Sequence, residues 1–159
     1  MNKQPAFWDA SALVPLCVHE ITSRQAQSRL HQSLPVVWWA SRVEVHSAVA
    51  RLHRLGKLKD PEKKGALSRL DVLSRGWREI LPSDPLRDLA TRLLDTYELR
   101  AVDSLQLAAA LVWCHEKPPC TVMLPAGFAQ LKPMRGPRLL MSLPRVPCRN
   151  GCAMGLIWL

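Results

Sequence analysis

Three carboxylates, far apart in the chain, are the residues best placed to do chemistry. Asp9 closes the apolar run Ala6-Phe7-Trp8. Glu44 opens an amphipathic segment that follows a second apolar run, Val36-Val37-Trp38-Trp39. Asp103 stands at the mouth of Leu105–Leu111, a stretch with almost no polar face that should be buried. Three acids brought together repel one another, and a folded chain tolerates that when a cation lies between them. Oxygen donors with room left for water suit Mg²⁺ or Mn²⁺. Such an ion lowers the pKa of a bound water and neutralises charge on a phosphodiester under attack.

Each acid also has a plainer local reading. Asp9 after a strand is commonly a turn or cap residue. Ser41 and Glu44 have the spacing of a capping box, as do Asp103 and Gln106. Which reading holds depends on the elements that position them.

Those elements alternate. Short apolar strands are expected near Ala6–Trp8, Val36–Trp39, Trp77–Leu81 and Thr121–Leu124, with a further weak one near Leu139–Met141. Helices are expected over Ser11–His19, with Pro15 against it, and over Ser23–Gln32. A third runs from about Arg42 to Leu55 with Ser41 as N-cap and Gly56 just past its end. A fourth starts at Asp60-Pro61-Glu62 and stops at Gly76, and a fifth opens at Asp84-Pro85. The sixth is the buried segment that Asp103 opens. This alternation predicts an α/β fold with a mainly parallel central sheet. Ligands of such folds bind beyond the carboxyl ends of the strands. Asp9 and Glu44 fall on that side, and Asp103 joins them if its helix enters from there.

At 159 residues with 48% hydrophobic content, the chain is long enough for one domain with a sizeable core. Its net charge of +9 makes a polyanion a natural partner, although scattered Lys and Arg ordinarily form a solvated face. All 13 acids lie at or before Glu116, whereas residues 117–159 carry six Lys or Arg and no acid. Seven of the 13 prolines also fall beyond residue 117. The five cysteines include no CxxC pair, and Cys148 and Cys152 have no nearby His to complete a zinc site. Reduced thiols and a cytoplasmic location are the expectation. No export leader or membrane-length apolar run is visible, and Gly155–Leu159 is far too short to span a bilayer.

Phe7-Trp8-Asp9-Ala10-Ser11 resembles the first motif of PIN-domain nucleases, which reads apolar-apolar-Asp-x-Ser. Ser41-Arg42-Val43-Glu44-Val45 resembles their second motif, and Leu99-Arg100-Ala101-Val102-Asp103-Ser104-Leu105-Gln106-Leu107-Ala108 their third and most specific. Order and spacing over residues 6–116 look like the VapC group of bacterial toxins. The resemblance implies a PIN-like α/β/α sandwich and a divalent-metal-dependent endoribonuclease. Asp9, Glu44 and Asp103 would be its Mg²⁺ or Mn²⁺ ligands, with Ser11 supporting the cluster. It further implies a cognate antitoxin, an RNA substrate and a homodimer, with no membrane association.

The departure comes late in the chain. Relatives commonly carry a fourth acid just after strand 4, where this chain has Pro125. Glu116 cannot replace it, because 13 helical positions place it about 20 Å from Asp103. Residues 1–125 therefore read as the PIN-like domain. Residues 126–159 form an atypical basic segment rich in Pro and Cys, such as a degenerate or shifted reading frame would produce. An alternative function follows: a catalytically impaired PIN-like protein that binds an antitoxin-like partner or RNA. A small phosphatase or nucleotide-binding domain is disfavoured by the lack of a glycine-rich phosphate loop.

Overall fold

The computed structural model describes residues 3–116, 121–124 and 155–158, with side chains through Cys114. Five strands form one parallel sheet: β1 (Gln4–Trp8), β2 (Ser33–Trp38), β3 (Arg78–Ile80), β4 (Thr121–Leu124) and β5 (Gly155–Trp158). Their spatial order is β3-β2-β1-β4-β5. The chain winds outward from β1 in one direction and then from β4 in the other. The strand order thus reverses between β1 and β4, which opens a crevice at their carboxyl ends.

Among the described residues, six helices flank the sheet: α1 (Ala10–Cys17), α2 (Ser23–Gln32), α3 (Ser41–Arg54), α4 (Asp60–Ser74), α5 (Asp84–Thr96) and α6 (Ala101–Glu116). Alternation along the strands divides the core in two. Phe7, Val36 and Trp38 face α5 and α6, where they pack with Leu86, Ala90 and Ala108–Leu111. Ala6, Trp8 and Val37 face the other way, onto Leu13, Val45, Val49 and Leu70 from α1, α3 and α4. Two apolar layers on one sheet make the expected α/β/α sandwich. The run Ala108-Ala109-Ala110 is wholly buried, and its small side chains let α6 lie close to the sheet.

Several boundaries differ from expectation for identifiable reasons. α1 keeps Pro15 in its interior, because only one backbone bond is forfeited and the ring is itself buried in the core. β2 starts three residues before the expected Val36. Ser33 is drawn in by its hydroxyl, which accepts from Trp8 Nε1 at 3.3 Å and donates to the Arg29 carbonyl at 2.9 Å. β3 is confined to three residues. β5 was not expected from the sequence, where four residues after a proline-rich stretch give no strand signal beyond Leu156-Ile157-Trp158. The expected strand near Leu139–Met141 lies outside the described residues. Cys17 is free and buried, as expected of a reduced thiol; Cys120, Cys148 and Cys152 lie outside the described residues. No helix among the described residues is long and apolar enough to cross a membrane.

Candidate metal centre

Asp9 follows the last residue of β1 and is the N-cap of α1, as a cap reading of the sequence would have it. Its Oδ2 accepts the Ser11 backbone N–H at 2.9 Å and also the Ser11 hydroxyl. Asp9 is only 5% exposed. Burial raises its pKa, the bonds from Ser11 oppose that rise, and the charge of Asp103 adds to it. A single residue is therefore both the helix cap and a desolvated carboxylate at the end of the central strand.

Glu44 comes from the first turn of α3, which leaves the carboxyl end of β2. The expected Ser41–Glu44 capping box does not form. α3 begins one residue earlier than expected, its N-cap is Ala40, and no side chain caps it. Ser41 is fully buried, and its Oγ accepts from Gln106 Nε2 at 3.4 Å. Glu44 Oε2 accepts from the same Gln106 Nε2 at 3.1 Å. Burial, with the charges of Asp9 and Asp103, pushes Glu44 up to about 6, against the lowering effect of the Gln106 bond.

Asp103 occupies the first turn of α6, but it is not the N-cap, because the helix already begins at Ala101. The expected Asp103–Gln106 box gives way to a tertiary contact, as Gln106 reaches across to α3. Asp103 raises the pKa of both Asp9 and Glu44. The hydrogen bond from Gln106 to Glu44 sets the first turns of α6 beside the first turn of α3, so α6 starts at the same end of the sheet. Asp9, Glu44 and Asp103 form one electrostatic group at the switch point between β1 and β4.

That group is not a ready-made metal cage: among the described residues, no three His, Cys, Asp or Glu are close enough to hold an ion. The donors nevertheless fit a hard divalent cation. All three are carboxylates. Neither Asp9 nor Glu44 owes any part of its shift to a described Lys or Arg. Glu44 Oε1 is buried and has no hydrogen-bond partner among the described residues. A buried carboxylate oxygen without a donor is costly, and a cation is one of the few groups that would offset that cost. A separate groove between the end of α1 and α4, lined by Val18, His19, Leu52, Leu58 and Arg69, does not include the acids.

Gln106, expected only as a capping partner of Asp103, has a role toward Glu44 that the sequence reading missed. Its signal was a lone amide between Leu105 and Leu107, in a helix with no polar face to put it on.

Comparison with known proteins agrees with this geometry at the level of the fold. No protein-family model matches the sequence, and no curated protein matches it. Solved structures do. A chain of a toxin–antitoxin complex from Klebsiella pneumoniae superposes with a TM-score of 0.50 at 18% identity, covering 75% of this chain and 84% of that one. A chain of VapBC2 from Rickettsia felis, bound to a DNA fragment from its promoter, superposes with a TM-score of 0.55. Identity there is 13%, and 98% of this chain and 99% of that one are covered. The chain has a VapC-like PIN fold. Within that fold, the three acids stand at the switch point where α/β sheets place their ligands.

Proposed function

We propose that this chain is a divalent-metal-dependent endoribonuclease of the toxin type. The observation that carries the reading is the electrostatic convergence of Asp9, Glu44 and Asp103 at the mouth of the sheet, with a buried Glu44 oxygen unpaired. Asp9, Glu44 and Asp103 would hold Mg²⁺ or Mn²⁺. When bound, the ion supplies a water of lowered pKa and neutralises charge on the phosphodiester. Ser11 fixes the Asp9 carboxylate through two donors, so its rotamer is set before any ligand arrives. Gln106 fixes Glu44 through one donor, its Nε2. The net charge of +9 supports a polyanionic substrate through phosphate contacts. The fold shared with chains of toxin–antitoxin complexes supports a cognate antitoxin as partner, and a homodimer is part of the same reading.

Cleavage of RNA with added Mg²⁺ or Mn²⁺, compared among wild type, Asp9→Asn and Asp103→Asn, tests the proposal. Loss in both variants is the expected result. Equal cleavage by all three would mark a contaminant and end the enzyme reading.

Pro125, standing where a fourth acid would be, supports a second reading. In it the chain is catalytically impaired and acts by binding an antitoxin-like protein or RNA. Tight RNA binding without cleavage in either metal, by a chain that binds Mn²⁺ poorly, is the outcome that favours it.

A further inference from the structure

Among the described residues of α6, Ser104 and Gln106 are the buried polar side chains; Ser104 donates to the Ala101 carbonyl of its own helix at 2.9 Å, whereas Gln106, 2% exposed, finds no such local partner. Its neighbours along the helix, Leu107 to Leu111, are all apolar and buried. A leucine would fill the same volume without desolvating an amide. Burying a polar group with an unmet bond is costly. Here Gln106 Oε1 has no partner among the described residues. Packing alone gives no reason for an amide at this position.

Its hydrogen bonds supply one. Gln106 lies three residues after Asp103, one turn along the same face of α6. Its Nε2 leaves that helix and reaches α3, donating to Glu44 Oε2 at 3.1 Å and to the buried Ser41 Oγ at 3.4 Å. The amide orientation is determined by chemistry, since turning it over would set Oε1 against a carboxylate. Two acid-bearing helices are thereby tied together by one side chain. Glu44 Oε2 is occupied, and Glu44 Oε1 is left buried and without a hydrogen-bond partner among the described residues. Oxygens of this kind are what a hard divalent cation and its waters complete.

We propose that Gln106 is the positioning residue for Glu44, holding Oε2 so that Oε1 remains available to a cation. The inference rests on the metal-dependent reading above and extends it to a residue that touches neither ion nor substrate.

Mn²⁺ binding to the full chain, followed by calorimetry at pH 7, tests it in wild type, Gln106→Leu, Glu44→Gln and the double variant. Gln106→Leu is expected to weaken Mn²⁺ binding about 10-fold while remaining folded by circular dichroism. The double variant is expected to bind no more weakly than Glu44→Gln alone, because the amide acts only through the carboxylate. Wild-type affinity in Gln106→Leu, or additive losses in the double variant, would overturn the inference and leave the metal reading intact. If wild type binds no Mn²⁺, the metal reading fails and takes this inference with it. Gln106→Met, of similar length but without donors, serves should the leucine variant not fold. The wild type gives an independent measurement by NMR. The Gln106 side-chain amide resonances should shift on titration with Mg²⁺, and resonances that do not move would overturn the inference.

Discussion

Ser11 delivers two donors, its backbone N–H and its hydroxyl, to a single oxygen of Asp9. The geometry follows from Asp9 being both the last residue before α1 and its N-cap. Ser11→Ala removes the hydroxyl and keeps the N–H, so α1 should still start at Ala10. Ser11 is exposed, and water replaces part of the lost bond. The expected loss of stability is below about 1 kcal/mol, measured by urea denaturation. The effect on Mn²⁺ affinity should be larger in proportion, near 10-fold, because the carboxylate regains rotational freedom. A large stability loss with unchanged Mn²⁺ affinity would make Ser11 a cap residue and nothing more.

The raised carboxylates predict a direction for pH dependence. The Glu44 pKa moves from 4.5 to about 6 on folding, and that of Asp9 also rises. The folded state therefore binds these protons more tightly than the unfolded chain does. The Glu44 contribution to stability is fully present below pH 4.5 and is lost as pH climbs through about 6, and Asp9 acts in the same direction. In the absence of divalent ions, wild type should melt at a lower temperature at pH 7 than Glu44→Gln does. The gap should close as pH falls below 4.5, where Glu44 becomes neutral in both states. Added Mg²⁺ should raise the wild-type melting temperature more at pH 7 than at pH 5, since it competes with the protons. Thermal melts across this range, with and without Mg²⁺, measure both effects. A wild-type advantage at pH 7 without metal would refute the direction.

Gly56 ends α3 in the left-handed region, with φ at +69°. The Lys57 N–H bonds the Leu52 carbonyl at 2.9 Å, and the Gly56 N–H bonds that of His53 at 2.9 Å. This is the Schellman pattern, and it satisfies carbonyls that the helix end would otherwise leave open. Nothing lies within 4 Å of a Cβ added at Gly56, so a side chain would meet only backbone strain. Gly56→Ala should destabilise the chain by about 1 kcal/mol and Gly56→Asn by less. Denaturant midpoints for the two variants check the order.

Much of this architecture was legible in the residues, and the reason differs from place to place. Gly56 and Pro61 act within one turn of chain, so the end of α3 and the start of α4 follow from local chemistry. The parallel sheet followed from short apolar runs such as Ala6-Phe7-Trp8 recurring between helical patterns. The two capping boxes were not formed, because each was a local signal in competition with a tertiary one. Ser41 and Gln106 each had a plausible partner three residues away and bonded across 65 positions instead. The extension of β2 to Ser33 likewise depends on Trp8, 25 residues earlier in the chain. Contacts of that range leave no periodicity to read.

Asp103 raises the pKa of two other acids, and this allows burial and charge to be separated experimentally. Asp103→Asn keeps the size and polarity of the side chain and removes its charge. For Glu44, burial is the larger cause and the neighbouring carboxylates the smaller. The Glu44 pKa should therefore fall below about 6 in Asp103→Asn, yet stay above 4.5. Carbon-13 NMR of the Glu44 side-chain carboxyl reports this directly. The same substitution relieves repulsion in the metal-free chain, so its stability at neutral pH should rise while Mn²⁺ affinity drops. Opposite movement of stability and affinity is expected where a site keeps like charges together for a ligand. An unshifted Glu44 titration would mean that Asp103 does not face the other two acids. The three-acid site, and the function built on it, would then be wrong.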